Sequence, residues 1–501
     1  MNARNHPRAR HLKTRRNSYR YTMIRIVRSR PVASLAISTF AGCSSYAVCT
    51  EYQSKTLVKD TEYLPREYSR DKIVRFWKQR PISVISRLTN IVHELLPVVG
   101  SYIYDFKLCG RSSEELQQQH AVRLKNTLTR LGPAFIKFGQ QLSIRPDIVP
   151  ATVLKELQKL CDAVDSFEDE IAFDTIKEDL GERAFNQLEG LVLVASASLG
   201  QVYKAKKKGS NEIVAVKVQR PDMLNVVSLD LFLLHCYGQF LDDLFHFTTE
   251  QIPFHADFID CFAKGSYEEL DYEKEAGNQL FFKEEFRKRK CNVFIPDVHR
   301  ELTSRRVLTS QWINGTQLAK ADPKEIQRLI PVGVELFLTQ LLDIGKFHSD
   351  PHPGNLYVSP EGQLCLIDFG LCAEVDSKSR RSMTSAIVHL LTGDFDSLIN
   401  VDAKDLGFLP IDMDVSELKP ILTKILDEGL LQSGSNLHAR KRKLISISNE
   451  LNEVFFRYPF SVPPFFALIT RGLGLLEGIA LTGDPNFDIF QASLPYASRR
   501  A

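Results

Sequence analysis

The stretch FHSDPHPGNLYVSPEGQLCLIDFG, Phe347 to Gly370, constrains the fold more than any other part of the chain. Leu356-Tyr357-Val358 reads as a short strand. Ser359-Pro360-Glu361-Gly362 places Pro and Gly where a turn needs them. Gln363 to Ile367, rich in Leu, Cys and Ile, reads as the returning strand. A hairpin brings its two ends together, so Asn355 and Asp368 should lie side by side. Asp350 stands five residues before Asn355, and the Pro-His-Pro-Gly between them favours a tight loop over a helix. Two carboxylates and an amide carbonyl are hard oxygen donors, which suit Mg²⁺ shared with phosphate rather than zinc or copper.

This order of residues resembles phosphoryl-transfer kinases, in which a loop Asp accepts the substrate hydroxyl proton while an Asn five residues on and a later Asp-Phe-Gly hold metal ions. Asp350, Asn355 and Asp368-Phe369-Gly370 match that frame. A lone Asp-Phe-Gly would mark a turn; the three parts at this spacing carry the resemblance. The upstream half is present as well. In VASASLGQVYKA the kinase frame G-x-G-x-x-G-x-V reads Ala195-x-Ala197-x-x-Gly200-x-Val202. Alanine resists positive φ and carries a methyl group, so this loop should be stiffer than its glycine counterpart. Lys217 follows in the alternating strand VAVKV and looks like the lysine that meets the α/β-phosphates. Taken alone it reads more readily as a surface lysine on an edge strand. The acidic, helical-looking stretch YEELDYEKEAGN offers Glu269, Glu273 and Glu275 as partners for it, with Glu268, Glu273 and Lys274 read as a solvated face.

That stretch is similar to the E-x-D-Y-x-x-E-A-x-N segment of the AarF/UbiB family of atypical kinase-like proteins. Lys137-Phe138-Gly139-Gln140 matches the family's K-x-G-Q, and HSDPHPGN matches its H-A-D-P-H-P-G-N with Ser349 for Ala. The matching motifs run in the family's order from Leu131 to Gly370. The resemblance implies an α+β, two-lobed protein-kinase-like fold with an N-terminal helical extension and extra C-terminal helices. It implies ATP or ADP with Mg²⁺ as cofactors. It gives Lys217 and Glu275 the roles of nucleotide lysine and helix partner, Asp350 that of catalytic acceptor, and Asn355 and Asp368 those of metal ligands. Ala195, Ala197, Gly200 and Val202 would cover the nucleotide. Lys137 and Gln140, with Glu269 and Asp271 as the E-x-D pair, would regulate the site, Lys137 lying over the cleft beside those carboxylates. An extension folded there disfavours peptide substrates. A prenyl lipid or quinone precursor, or quinone-biosynthesis proteins as partners, fit better. The alternative is a nucleotide-binding pseudokinase scaffold, favoured by the alanine loop and by His352, which stands where many protein kinases have Lys.

Composition narrows the rest. A hydrophobic content of 44% is that of a globular protein, and nine scattered cysteines without a C-x-x-C argue against a disulfide or zinc framework. Residues 1–50 hold nine Arg, one Lys and no acid, or +10, which leaves the other 54 basic and 61 acidic residues at −7. The body is therefore no nucleic-acid binder by charge. An Arg-rich, acid-free, Ser-containing start reads as an organelle-targeting segment. Its Arg density points to a mitochondrion. A plastid is the alternative, because RVLTSQWINGTQL and RYPFSVPPFFALITRGLGLLEGIAL resemble plastid members of the family. Peripheral membrane association is expected.

The expected organisation is a targeting segment over 1–50, a helical extension over 51–185 with breaks at Pro65, Pro81 and Pro97, a small lobe over 186–315, a large-lobe core over 316–400 and helices over 401–501. The Trp312–Gly315 segment resembles the family's hinge. The apolar run Phe465–Leu481 contains Arg471 and Glu477, which favours a buried helix over a membrane span.

Overall fold

The computed structural model describes residues 63–110, 113–143, 149–161, 166–248, 255–349, 353–426 and 464–485, with single positions beyond. The expected targeting segment over 1–50 lies outside the described residues. Among the described residues, the α-helices of seven residues or more are α1 (Arg70–Lys78), α2 (Pro81–Ile103), α3 (Glu114–Leu131), α4 (Pro133–Leu142), α5 (Ala151–Leu157), α6 (Asp169–Leu180), α7 (Met223–Thr248), α8 (His255–Glu268), α9 (Tyr272–Lys288), α10 (Pro323–Leu338), α11 (Ser377–Thr392), α12 (Lys419–Leu426) and α13 (Pro464–Gly483). The chain divides into two units, one of residues 1–140, 150–160 and 224–263, the other of 141–149, 161–223 and 264–501.

The first unit is helical. Pro81 starts α2 at a position where a missing N–H costs nothing. Pro97, expected as a break, lies inside the same helix, which runs on to Ile103. Burial of Val84, Leu88 and Ile91 on its inner face explains the difference, because tertiary packing outweighs the local cost of proline. The segment 224–263 is fastened here by polar contacts. Arg87 donates from Nε and Nη2 to the fully buried Asp230 at 2.7 and 2.9 Å, and Trp77 Nε1 donates to Ser228 Oγ at 3.1 Å. Helix α2 with the turn after it, Pro81–Phe106, is apolar and long enough to cross a membrane, and its outer face exposes Ile82, Ile85 and Leu96.

Two residues of K-x-G-Q have packing duties. A Cβ on Gly139 would come within 2.5 Å of Leu160 Cδ1 and 3.0 Å of Leu128 Cδ1, so any larger residue requires these leucine side chains to shift. Gln140 Nε2 donates to the Leu160 carbonyl at 3.1 Å.

The second unit opens with an antiparallel sheet ordered β1 (Leu188–Ser196), β2 (Gly200–Lys207), β3 (Ile213–Gln219) and, across from β3, β5 (Val307–Gln311). Val214, Val216 and Val218 of β3 are fully buried, as the alternating apolar pattern requires. They pack with Ala172 and Ile176 of α6 and with Leu302 and Val307. A second, mixed sheet joins β4 (Val293–Phe294), β9 (Leu364–Leu366), β8 (Leu356–Val358) and β6 (Thr316–Gln317), while β7 (Lys346–His348) pairs with β10 (Cys372–Glu374). The larger core gathers Leu329, Ile330 and Val334 of α10 against Ile469, Leu476 and Ile479 of α13. Helix α13 is thus a packed core helix, the reading its central charges favoured.

Candidate active site

The hairpin forms where the turn residues place it. Strands β8 and β9 pair antiparallel with Tyr357 opposite Cys365, and Gly362 takes φ +76° in the turn. The Asn355 carbonyl accepts from the Ile367 amide at 3.0 Å, which sets Asn355 beside the residue that precedes Asp368. Asp368 adopts φ +63°, in the left-handed region that aspartate tolerates better than most residues. Its Oδ1 accepts from the Gly370 amide at 3.3 Å. Asp350, Pro351 and His352 lie outside the described residues.

Lys217 sits at the centre of the site. On β3 it stands opposite Val202 of β2. Its Nζ donates to both carboxylate oxygens of Glu275, at 2.9 and 2.8 Å, and lies 3.6 Å from Asp368 Oδ1. The edge-strand alternative fails, because β3 is flanked by β2 and β5. The Glu275 side chain is 3% exposed and that of Asp368 45%. Burial pushes the Glu275 carboxyl up to about 7; the Lys217 charge opposes the rise and the Asp368 charge adds to it. Burial works against the Lys217 ammonium, but Asp368 and Glu275 outweigh it and hold the amine well above its ordinary value.

The Glu275 shift has a consequence for stability. A carboxyl with a folded-state value near 7 and an ordinary value of 4.5 holds its proton in the folded protein after the unfolded chain has released it. Stability of the nucleotide-free protein should therefore fall as pH rises from about 5 to 7, by up to roughly 3 kcal/mol from this group. In Glu275→Gln that slope should flatten. Urea midpoints from pH 5 to 8 measure it, and an unchanged slope in the variant would assign the titration to another group.

The acidic stretch is two helices with a break, not one. Helix α8 ends at Glu268, and α9 starts at Tyr272 with Asp271 as its N-cap, accepting from the Glu273 and Lys274 amides at 3.2 Å each. Glu269 and Asp271 flank this break. Between them Leu270 is buried, and its carbonyl accepts from Gln219 Nε2 of β3 at 3.1 Å. Glu268 is half-buried rather than solvated, and burial raises its carboxyl. Lys137 is half-buried on α4 in the helical unit.

The alanine-bearing turn is tight. Ala195 is a strand residue paired with Val202, and the Ala197 amide donates to the Gly200 carbonyl at 2.8 Å. Gly200 is required by space. A Cβ there would fall 2.4 Å from the Val218 carbonyl oxygen and 2.7 Å from Tyr272 Oη.

Five further residues complete the site. Tyr272 lies fully buried with its ring 4.9 Å from Lys217 Nζ. His348 Nε2 bonds the Asp368 carbonyl, and Asn278 Nδ2 donates to the Phe369 carbonyl at 3.0 Å. Phe369 stacks on Phe282 of α9 at 5.5 Å, so the helix that carries Glu275 also seats the Asp-Phe-Gly segment. Gln219 holds the helix break. Of these five, Tyr272, His348 and Asn278 fall inside the quoted motifs; Gln219 and Phe282 carried no signal separable from core packing.

The donor set fits a Mg²⁺-nucleotide. Asp368 offers a half-exposed carboxylate beside the half-buried Lys217 ammonium, next to the Asn355 end of the hairpin. Among the described residues no three His, Cys, Asp or Glu side chains converge to hold a metal alone, so a cation here would also take phosphate oxygens.

Comparison with known proteins adds to this geometry. A family model described as the ABC1 atypical kinase-like domain matches residues 159–402. The chloroplastic protein ACTIVITY OF BC1 COMPLEX KINASE 3 of Arabidopsis thaliana is 35% identical over 97% of this chain and 69% of its own length. The chloroplastic ACTIVITY OF BC1 COMPLEX KINASE 1 of the same plant is 36% identical over 84% of this chain and 61% of its own. The chain thus spans roughly two thirds of these relatives. A Mycobacterium tuberculosis protein solved as its erythromycin complex superposes with a TM-score of 0.50 at 20% identity, over 76% of this chain and 96% of that one. That likeness concerns the fold, which is α+β and kinase-like.

Proposed function

Because this chain belongs to the ABC1 atypical kinase-like family, we propose that it binds ATP or ADP with Mg²⁺ at the Lys217–Glu275–Asp368 cluster and acts as a phosphotransferase or ATPase. The observation that carries the reading is the ion pair of half-buried Lys217 with buried Glu275, with Asp368 at 3.6 Å, three residues from three separate segments joined around one ammonium. In this reading Lys217 meets the nucleotide phosphates, Glu275 holds Lys217 in place, and Asp368 and Asn355 hold Mg²⁺. A cation held by Asp368 and Asn355 would supply charge neutralisation for the transferred phosphoryl group. Asp350, by its spacing, accepts the acceptor hydroxyl's proton. Ala195, Ala197, Gly200 and Val202 cover the phosphates. Lys137 and Gln140, with Glu269 and Asp271, restrain access.

A prenyl lipid or quinone precursor is the acceptor class proposed from the family resemblance. The outer face of α2, with exposed Ile82, Ile85 and Leu96, supports peripheral contact with a membrane that holds such lipids. The chloroplastic relatives move the proposed location from mitochondrion to plastid. The N-terminal Arg density does not separate the two organelles, since both kinds of transit peptide are Arg-rich and acid-poor.

Isothermal calorimetry of the full chain with MgATP and MgADP tests the reading. Asp368→Asn should weaken both by about tenfold or more, as expected when a charge-assisted contact is lost. Equal affinity in the variant would sink the metal assignment. Phosphate release from ATP, with and without a quinone-like lipid, separates an enzyme from a nucleotide-binding scaffold.

A further inference from the structure

We infer that Arg220 is a positioning residue that fastens the turn Ala197–Gly200 and thereby sets how firmly the site retains a nucleotide. This rests on the reading of that turn as the phosphate cover. Arg220 leaves β3 three residues after Lys217 and folds back along the turn. Its Nε donates to the Ala197 carbonyl at 3.1 Å, its Nη2 to Ser196 Oγ at 2.9 Å, and its backbone amide to the Leu199 carbonyl at 2.9 Å. The guanidinium lies 5.4 Å from the ring centre of Phe167, whose own amide donates to Gln201 Oε1 at 2.5 Å. Gln201 is fully buried and continues through Tyr203 Oη to Asp169.

These contacts make the turn part of a rigid body. Three residues of it, Ser196, Ala197 and Leu199, end on one arginine, and that arginine directly follows the strand that carries Lys217. A planar fork with fixed donor directions can serve a carbonyl and a hydroxyl at once, which an ammonium cannot do in the same geometry. Where a glycine-rich loop would gain its grip by closing on the ligand, this turn is held ready. Arg220 therefore acts on the nucleotide through Ala197 and Ser196, and its effect should show in how slowly the ligand leaves.

The test uses the full chain with MgATP and MgADP, by calorimetry and by stopped-flow dissociation of a fluorescent ADP analogue. Arg220→Ala should raise Kd by about five- to thirtyfold, mostly through faster dissociation, as expected for two lost side-chain hydrogen bonds, the backbone bond to Leu199 being kept. Arg220→Lys should recover less than half of that loss on a logarithmic scale. It also carries the comparison should the alanine variant fail to fold. Ala197→Gly loosens the same turn, so the double variant should lose less than the product of the two single effects. Affinity within twofold of the parent in both Arg220 variants, or effects that multiply independently, would overturn the inference. A parent chain that binds neither nucleotide overturns the site reading itself, before any variant is made.

Discussion

Lys217→Met should abolish measurable MgATP and MgADP binding, and it should destabilise the protein more at pH 8 than at pH 5.5. The first effect follows from removing the one ammonium that three segments converge on. The second follows from what is left behind. Without the ammonium, Glu275 is 3% exposed beside Asp368 with no cation to offset either charge. Leaving one member of a buried pair uncompensated costs about 3–5 kcal/mol. Here the carboxyl has a way out, because its value already stands at about 7 and will rise further without Lys217. At pH 5.5 Glu275 is protonated and the penalty is small; at pH 8 the charge must be buried or neutralised at a cost. The pair Lys217→Met, Glu275→Gln should recover most of the stability at pH 8 and none of the nucleotide affinity. Urea unfolding at both pH values measures the first claim and calorimetry the second. A single variant equally stable at both pH values would show that Glu275 reaches water when Lys217 is gone.

The parts of this site that were legible in the sequence share one property: each is written in a short, local pattern. Pro360 and Gly362 announce a turn, so the hairpin and the placement of Asn355 near Asp368 follow from spacing alone. The alternation of Val214, Val216 and Val218 places Lys217 on a strand face. The Lys217–Glu275 pair spans 58 residues and was reached through family resemblance, because nothing local says which of three glutamates turns inward. The helix break at Glu269–Asp271 was missed although its signal was present: Asp271 precedes an acidic first turn, the pattern of an N-cap. Pro97 misled in the other direction, since a proline rule that holds for isolated helices yields to the packing of Val84, Leu88 and Ile91. The grouping of 224–263 with the N-terminal helices was not legible at all. It depends on Arg87 meeting Asp230, and a charge pair 143 residues apart leaves no periodic trace.

The alanine loop shows the same division. Two alanines in place of glycines suggested a stiff loop on φ grounds, but Ala195 proves to be an ordinary strand residue, and stiffness comes from Arg220 and from strand pairing. The retained glycine matters for space instead. Gly200→Ala should therefore be a strongly damaging single-methyl change in the second unit. The added Cβ would sit 2.4 Å from a backbone oxygen of Val218 and 2.7 Å from Tyr272 Oη. A flexible side chain could move aside; Val218 is in the middle of the sheet, hydrogen-bonded between β2 and β5, and cannot. Relief must come from lifting the turn off β3, which would strain the Arg220 contacts and displace Tyr272 from beside Lys217. Overpacking of this kind costs about 1–3 kcal/mol, and more where backbone must shift. The loss should appear twice: as a drop in the urea midpoint, and as a fall in MgATP affinity larger than that of Arg220→Ala. Ala197→Gly, by contrast, should leave the urea midpoint nearly unchanged, because Ala197 is exposed at the tip of the turn. If Gly200→Ala proves as stable as the parent and binds nucleotide equally well, the turn is looser than its contacts with Val218 and Tyr272 imply, and the rigid-cover reading of the site falls with it.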